Sequence, residues 1–151
     1  MTDILWMNEA LAEARLASES GEVPIGAVLV YEGKIVSMAH NMRETSLNPL
    51  HHAEILVLEA AAKALGNWRL ENCALYVTLE PCPMCLGALL QARVSRLVYG
   101  CTDPNREIAT FPSIAGKAEI SGNSHIVKIT GGILKEECSK LLKDFFKAKR
   151  H

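Results

Sequence analysis

Hydrophobic positions in residues 3–19 recur at helical spacing, at Ile4, Met7, Leu11 and Ala14, and predict an amphipathic helix. Thr2 or Asp3 can cap its start, and Gly21 can end it. Two apolar runs, Ile25 to Tyr31 and Lys34 to Ala39, flank Glu32-Gly33, which is the pattern of a hairpin. Asn48-Pro49 reads as a helix start, with a capping side chain followed by proline at the first helical position. Ile55, Leu58, Ala62 and Leu65 then share one face until Gly66. Cys73 to Leu79 predicts a strand, Pro83 to Ala92 a helix, Ser95 to Cys101 a strand and Ile126 to Ile129 a short strand. Residues 134 to 148 predict a last helix with Leu134, Leu141, Leu142 and Phe145 inward. In residues 102 to 124, Pro104, Pro112, Gly116 and Gly122 break any long element. The order α-β-β-α-β-α-β, then β-α, implies a layered α/β sandwich. Without a linker or repeat, one domain over residues 1–151 is expected.

Length and composition narrow this picture. The 151 residues suffice for one sizeable core. No apolar run approaches the roughly 20 residues that span a bilayer, and Met1 to Leu5 lacks a basic stretch before an apolar one. A cytoplasmic protein is therefore expected. The net charge of −1 differs from that of a basic nucleic-acid binder. Positive charge does gather at the end, where Lys140, Lys143, Lys147, Lys149 and Arg150 face only Asp144. That cluster suits either a solvated helix C-terminus or a phosphate contact. Five cysteines, an odd number, argue against a disulfide framework. Cys73, Cys101 and Cys138 read as small buried hydrophobes.

The chemistry concentrates in two segments, His52-Ala53-Glu54 and Pro81-Cys82-Pro83-Met84-Cys85. Two thiols three residues apart share one face of a helix. A helix start also favours the thiolate, the form that ligates metal. With His52 they make three zinc ligands and leave a fourth position for water, whose pKa the metal lowers. Glu54 stands two residues beyond His52, placed to miss the metal and carry protons. A lone C-x-x-C also suits a redox pair or half of a structural zinc site. A structural site wants four ligands, however, and no second cysteine pair exists here. A thioredoxin-like pair would leave His52-Ala53-Glu54 unexplained. His51 competes with His52, but on a helix its side chain points about 100° away.

With these motifs the chain resembles the bacterial tRNA-specific adenosine deaminases of the cytidine-deaminase-like superfamily. Glu22-Val23-Pro24-Ile25-Gly26-Ala27-Val28-Leu29-Val30 is similar to that family's first strand, as is Ala74 to Cys82 to its zinc-site strand. Gly132-Ile133-Leu134 and Asp144-Phe145-Phe146 resemble its C-terminal segment. The resemblance implies a three-layer α-β-α sandwich around a five-stranded mixed sheet, one Zn2+ per chain and a homodimer. It implies His52, Cys82 and Cys85 as metal ligands and Glu54 as general acid/base. It also implies that Asn41 hydrogen-bonds the flipped nucleotide, although the residue reads equally as a turn after a strand. His51, Glu80 and Asp103 are further expected substrate contacts. Phe145 and Phe146 suit stacking on RNA or packing in the core.

Two stretches depart from the family pattern. Pro104 to Pro112 lacks the glycine-rich stretch usual after Asp103, and Leu50-His51 replaces a small polar residue and an alanine. Three functions therefore stand. The first is deamination of a tRNA adenosine to inosine. The second is deamination of a free base or small heterocycle of cytosine, guanine or triazine type. The third is a non-catalytic zinc-containing binding module, against which the intact Glu54 argues.

Overall fold

The computed structural model describes residues 2–103 and 113–149. Its strands are β1 (Gly26–Tyr31), β2 (Lys34–His40), β3 (Cys73–Leu79), β4 (Arg96–Cys101), β5 (Glu119–Gly122) and β6 (His125–Thr130). They form one mixed sheet in the order β2-β1-β3-β4-β6-β5. β1 pairs antiparallel with β2 and β3, while β3, β4 and β6 run parallel to one another. β5 returns antiparallel to β6 at the outer edge.

The sheet therefore has six strands where five were expected. β5 lies in the stretch that read as broken, and Ile120 is its one large apolar residue. Asn123 and Ser124, both at positive φ, close it onto β6. Pairing with a neighbour, rather than any local pattern, makes this segment a strand.

Helices cover both faces. α1 (Thr2–Glu19) and α5 (Lys135–Lys149) lie on one side, where Met7, Leu11 and Cys138 pack with Val28, Tyr76 and Val98. α3 (Ala53–Leu65) and α4 (Pro83–Gln91) lie on the other, where Val57, Ala61 and Leu89 pack with Ala27, Leu29 and Leu75. The period-2 alternation of β1 thus feeds two cores. Gly26 is required where α1 crosses this strand, because a Cβ there would lie 2.0 Å from the Ala10 carbonyl oxygen. Glu32 and Gly33 have φ of 52° and 72°, the positive pair of a type I′ turn, and close the hairpin that the sequence predicts.

Three local expectations shift. The buried stripe of α1 is Met7, Ala10, Leu11, Ala14 and Ala17, and Ile4 is 46% exposed. The first turn of α1 is held instead by Asp3, described below. The second long helix starts at Ala53 with His52 as its N-cap, not at Asn48-Pro49. The Asn48 side chain accepts the Leu50 N–H at 2.9 Å and so shapes a turn. A one-turn helix, α2 (Arg43–Ser46), precedes that turn. The last helix begins at Lys135, so Leu134 lies outside it with φ 53°. Among the described residues, no helix is long and apolar enough to cross a membrane.

Candidate active site

His52 and Cys82 arrive in extended conformation and occupy the N-cap positions of α3 and α4. Neither side chain caps its helix. Both helix starts therefore keep N–H groups uncapped by those side chains, and their partial positive charge favours anions beside them. Pro83 costs nothing at the start of α4, since its missing N–H would have had no helical partner. Cys85, one turn into α4, is fully buried.

The three side chains converge. His52 Nδ1 lies 3.6 Å from the Cys82 Sγ and 3.6 Å from the Cys85 Sγ. Tetrahedral zinc, with Zn–S about 2.3 Å and Zn–N about 2.0–2.1 Å, requires S···N separations of about 3.6 Å. Two thiols and an imidazole also suit zinc by ligand type. Among the described residues, these three form the one group of at least three His, Cys, Asp or Glu able to hold a metal ion.

The charges agree with that reading. A hydrogen bond from Cys85, opposed by burial and aided by His52, pulls the Cys82 thiol down to about 3. Cys82 and burial drive the Cys85 thiol far above its usual range. The Cys82 thiolate in turn raises His52. Metal binding at such a set displaces the remaining protons, because the ligand forms are thiolate and neutral imidazole.

Glu54, in the first turn of α3, is 4% exposed. Burial pushes its carboxyl up to about 7, against the pull of its own backbone N–H and of His52. Its Oε1 has no hydrogen-bond partner among the described residues. A buried carboxylate oxygen left unpaired is costly, and here it stands beside the three ligands.

The other residues singled out by sequence have partners of their own. Asn41 is buried at the end of β2; its Nδ2 donates to the Val23 carbonyl at 3.5 Å and its Oδ1 accepts the Arg43 N–H at 3.3 Å. His51 lies outside the metal cluster, with Nδ1 2.7 Å from Ser46 Oγ and Nε2 3.0 Å from Asn48 Nδ2. Ser46 Oγ donates to the Met42 carbonyl, so the network assigns the proton of His51 to Nδ1. Glu80 is 1% exposed, and its carboxylate accepts the Asp103 N–H, the Ser113 hydroxyl and the Ile114 N–H. Residues 104–112 and Arg150 lie outside the described residues.

At the far end of α5, Phe145 is buried and Phe146 is 46% exposed, with the rings edge-to-face at 5.4 Å. The packing role thus falls to Phe145. Lys149 Nζ sits 5.1 Å from the Phe145 ring centroid, and Lys140 pairs with Asp144 at 2.7 Å. Cys73, Cys101 and Cys138 are buried thiols, as the sequence suggests.

Sequence reasoning missed Glu22, which is also 1% exposed. Its carboxylate accepts the N–H groups of Glu44 and Thr45, at 3.1 and 2.6 Å, and the Thr45 hydroxyl at 2.6 Å. It thereby fixes α2 between Asn41 and His52. No local pattern signals this, because donors and acceptor lie 22 and 23 residues apart.

The MafB19-like deaminase family model matches residues 1–150. A tRNA-specific adenosine deaminase from Bacillus subtilis (strain 168) is 48% identical over 98% of this chain and 91% of its own length. A solved structure from work on A-to-I editing by tRNA:A34 deaminases is 38% identical, with a TM-score of 0.78 over 91% of this chain and 98% of its own. A solved guanine deaminase from Bacillus subtilis is 31% identical, with a TM-score of 0.64 over 97% of this chain and 92% of its own.

Proposed function

This chain belongs to the tRNA-specific adenosine deaminases, within the MafB19-like deaminase family, and from that membership we propose that it converts the wobble adenosine of a tRNA to inosine. The observation that carries the reading is 48% identity across 98% of the chain to an enzyme of that name. We propose one deaminase domain over residues 1–151, working in the cytoplasm, where a bacterial tRNA is met. The groove between α3 and α4, about 480 Å³ and lined by Ile55, Leu58, Ala62, Trp68 and Ala88, supports a homodimer by offering apolar surface to a second copy. Sedimentation at micromolar concentration is expected to give the dimer, and a monomer overturns it.

His52, Cys82 and Cys85 would hold one Zn2+. Bound there, it would supply Lewis-acid activation of water at neutral pH. Glu54 accepts a proton from the attacking water and delivers it to the ring nitrogen beside the reacting carbon. A C–O bond forms at that carbon. Glu54 then moves the remaining hydroxyl proton to the amine, the C–N bond breaks and ammonia leaves. Burial raises the Glu54 carboxyl, which favours its holding the proton between the two transfers. Asn41 and Asp103 are proposed to face the nucleotide. His51, tied to Ser46 and Asn48, is proposed to shape the pocket mouth through its loop. Phe146, Lys147, Lys149 and Arg150 are proposed to meet the RNA backbone and bases.

The likeness to a guanine deaminase favours a second reading, a free purine as substrate. One assay separates them: inosine and ammonia are measured with an anticodon stem-loop RNA, and ammonia with guanine, cytosine and adenosine. Inosine in the stem-loop is expected. Ammonia from guanine with no inosine in RNA overturns the first reading for the second.

A further inference from the structure

Glu80 is a buried carboxylate that the chemistry above does not use. Its Oε1 accepts the Asp103 backbone N–H at 2.8 Å. Its Oε2 accepts the Ser113 hydroxyl at 2.6 Å and the Ile114 backbone N–H at 3.1 Å. Among the described residues, all three donors are neutral. Burying a carboxylate is costly, and only such donors offset the loss of water. A side chain that merely filled this space would be better apolar.

The connections of Glu80 suggest its use. It directly follows β3 and stands two residues before Cys82. Its own N–H donates to the Cys101 carbonyl at 2.9 Å, joining the ends of the parallel strands β3 and β4. One residue thus ties together the Cys82 turn, the chain leaving β4 at Asp103 and the chain returning at Ser113. This is the carboxyl edge of parallel strands, where open α/β sheets hold ligands.

We infer that Glu80 is a positioning residue for the substrate: it fixes Asp103 and Ser113 against the Cys82 turn and so sets the wall on which the nucleotides flanking the reacting base rest. This rests on the tRNA reading above. It predicts loss of substrate affinity with the chemical step intact.

The test compares wild type, Glu80→Gln and Ser113→Ala on an anticodon stem-loop RNA, with rates taken per bound zinc. Glutamine keeps the volume but turns an NH2 group toward one of the donors, opening one arm of the clamp. KM is expected to rise about tenfold in Glu80→Gln, the scale of one lost buried charged hydrogen bond, with kcat and zinc content retained. Ser113→Ala should move KM the same way by less. A drop in kcat at unchanged KM would mean a purely structural role and overturn the inference. If Glu80→Gln does not fold, Ser113→Ala alone decides it, and unchanged KM overturns it. A wild type active on guanine but not on the stem-loop overturns the proposed function and this inference with it. An active wild type with both variants unchanged overturns this inference alone.

Discussion

At Glu54 two effects oppose each other. Burial favours the protonated carboxyl, while the helix start and His52 favour the carboxylate. Burial wins, and the carboxyl stands above its usual range; the proposed role for Glu54 is to take a proton and return it. Substitutions separate this role from that of the ligands. Glu54→Gln keeps size and should retain one zinc per chain, yet turnover should fall at least about 100-fold, the low end for general acid–base catalysis. Cys85→Ser should instead lose zinc and turnover together, because serine offers no thiolate to the site. Metal analysis beside the ammonia assay checks both. Full turnover in the Gln variant would place the proton shuttle elsewhere. The two motifs that carry these candidates, His52-Ala53-Glu54 and Cys82 to Cys85, were legible in the sequence because each is local; their meeting across 30 residues came from the fold. Glu80 was also singled out in the sequence, but as a substrate contact; its side-chain partners among the described residues, 23, 33 and 34 residues away, have no local signature.

Among the elements, α1 depends on a polar staple as well as on its apolar stripe. Asp3 accepts both Arg96 guanidinium nitrogens, at 2.8 and 2.7 Å, and the Tyr76 hydroxyl at 2.8 Å. Arg96 also donates to Thr130 Oγ1 at 3.0 Å, so the start of α1 is tied to β3, β4 and β6. The Arg96 hydrogen bond, against burial and with Tyr76, holds Asp3 below its ordinary value. Asp3→Asn should therefore cost about 1–2 kcal/mol at pH 7, the range of a partly exposed charge-assisted pair. The sign with pH follows from linkage. A depressed carboxyl contributes stability above its unfolded value, about 3.9, and loses it as pH falls through the folded value. The gap between wild type and Asp3→Asn in urea unfolding should thus be steady above about pH 5 and close below about pH 4. A gap that persists there would mean the pair acts through packing. At this scale the sequence was read well where periodicity ran long, as in α1, expected over 3–19 and found over Thr2–Glu19. It was misread at residues 43–52, where Glu22 stabilises a single turn that its own residues would not hold.

Across the whole molecule, a near-neutral chain must still meet a polyanion if its substrate is tRNA. Lys143, Lys147 and Lys149 are exposed along α5, whereas Lys140 is paired with Asp144. Stem-loop binding should weaken with salt by a log–log slope of about 0.7 per phosphate contact. Neutralising Lys147, Lys149 and Arg150 together should flatten that slope and leave zinc and melting temperature unchanged. An unaltered slope would move the RNA contact to another surface. The sequence by itself determined the layered class, the Glu32-Gly33 hairpin and the two motifs that carry the candidate metal ligands and Glu54. Within each element and each motif these rest on short spacings set by the periods of helix and strand, although the two motifs themselves stand 30 residues apart. Only the tertiary structure decided that β5 joins the sheet, that His52 and Cys82 are N-caps whose ligand atoms meet, and that Glu22 and Glu80 hold the loops beside them. Those outcomes depend on hydrogen bonds and packing between segments distant in sequence, and no local pattern encodes such partners.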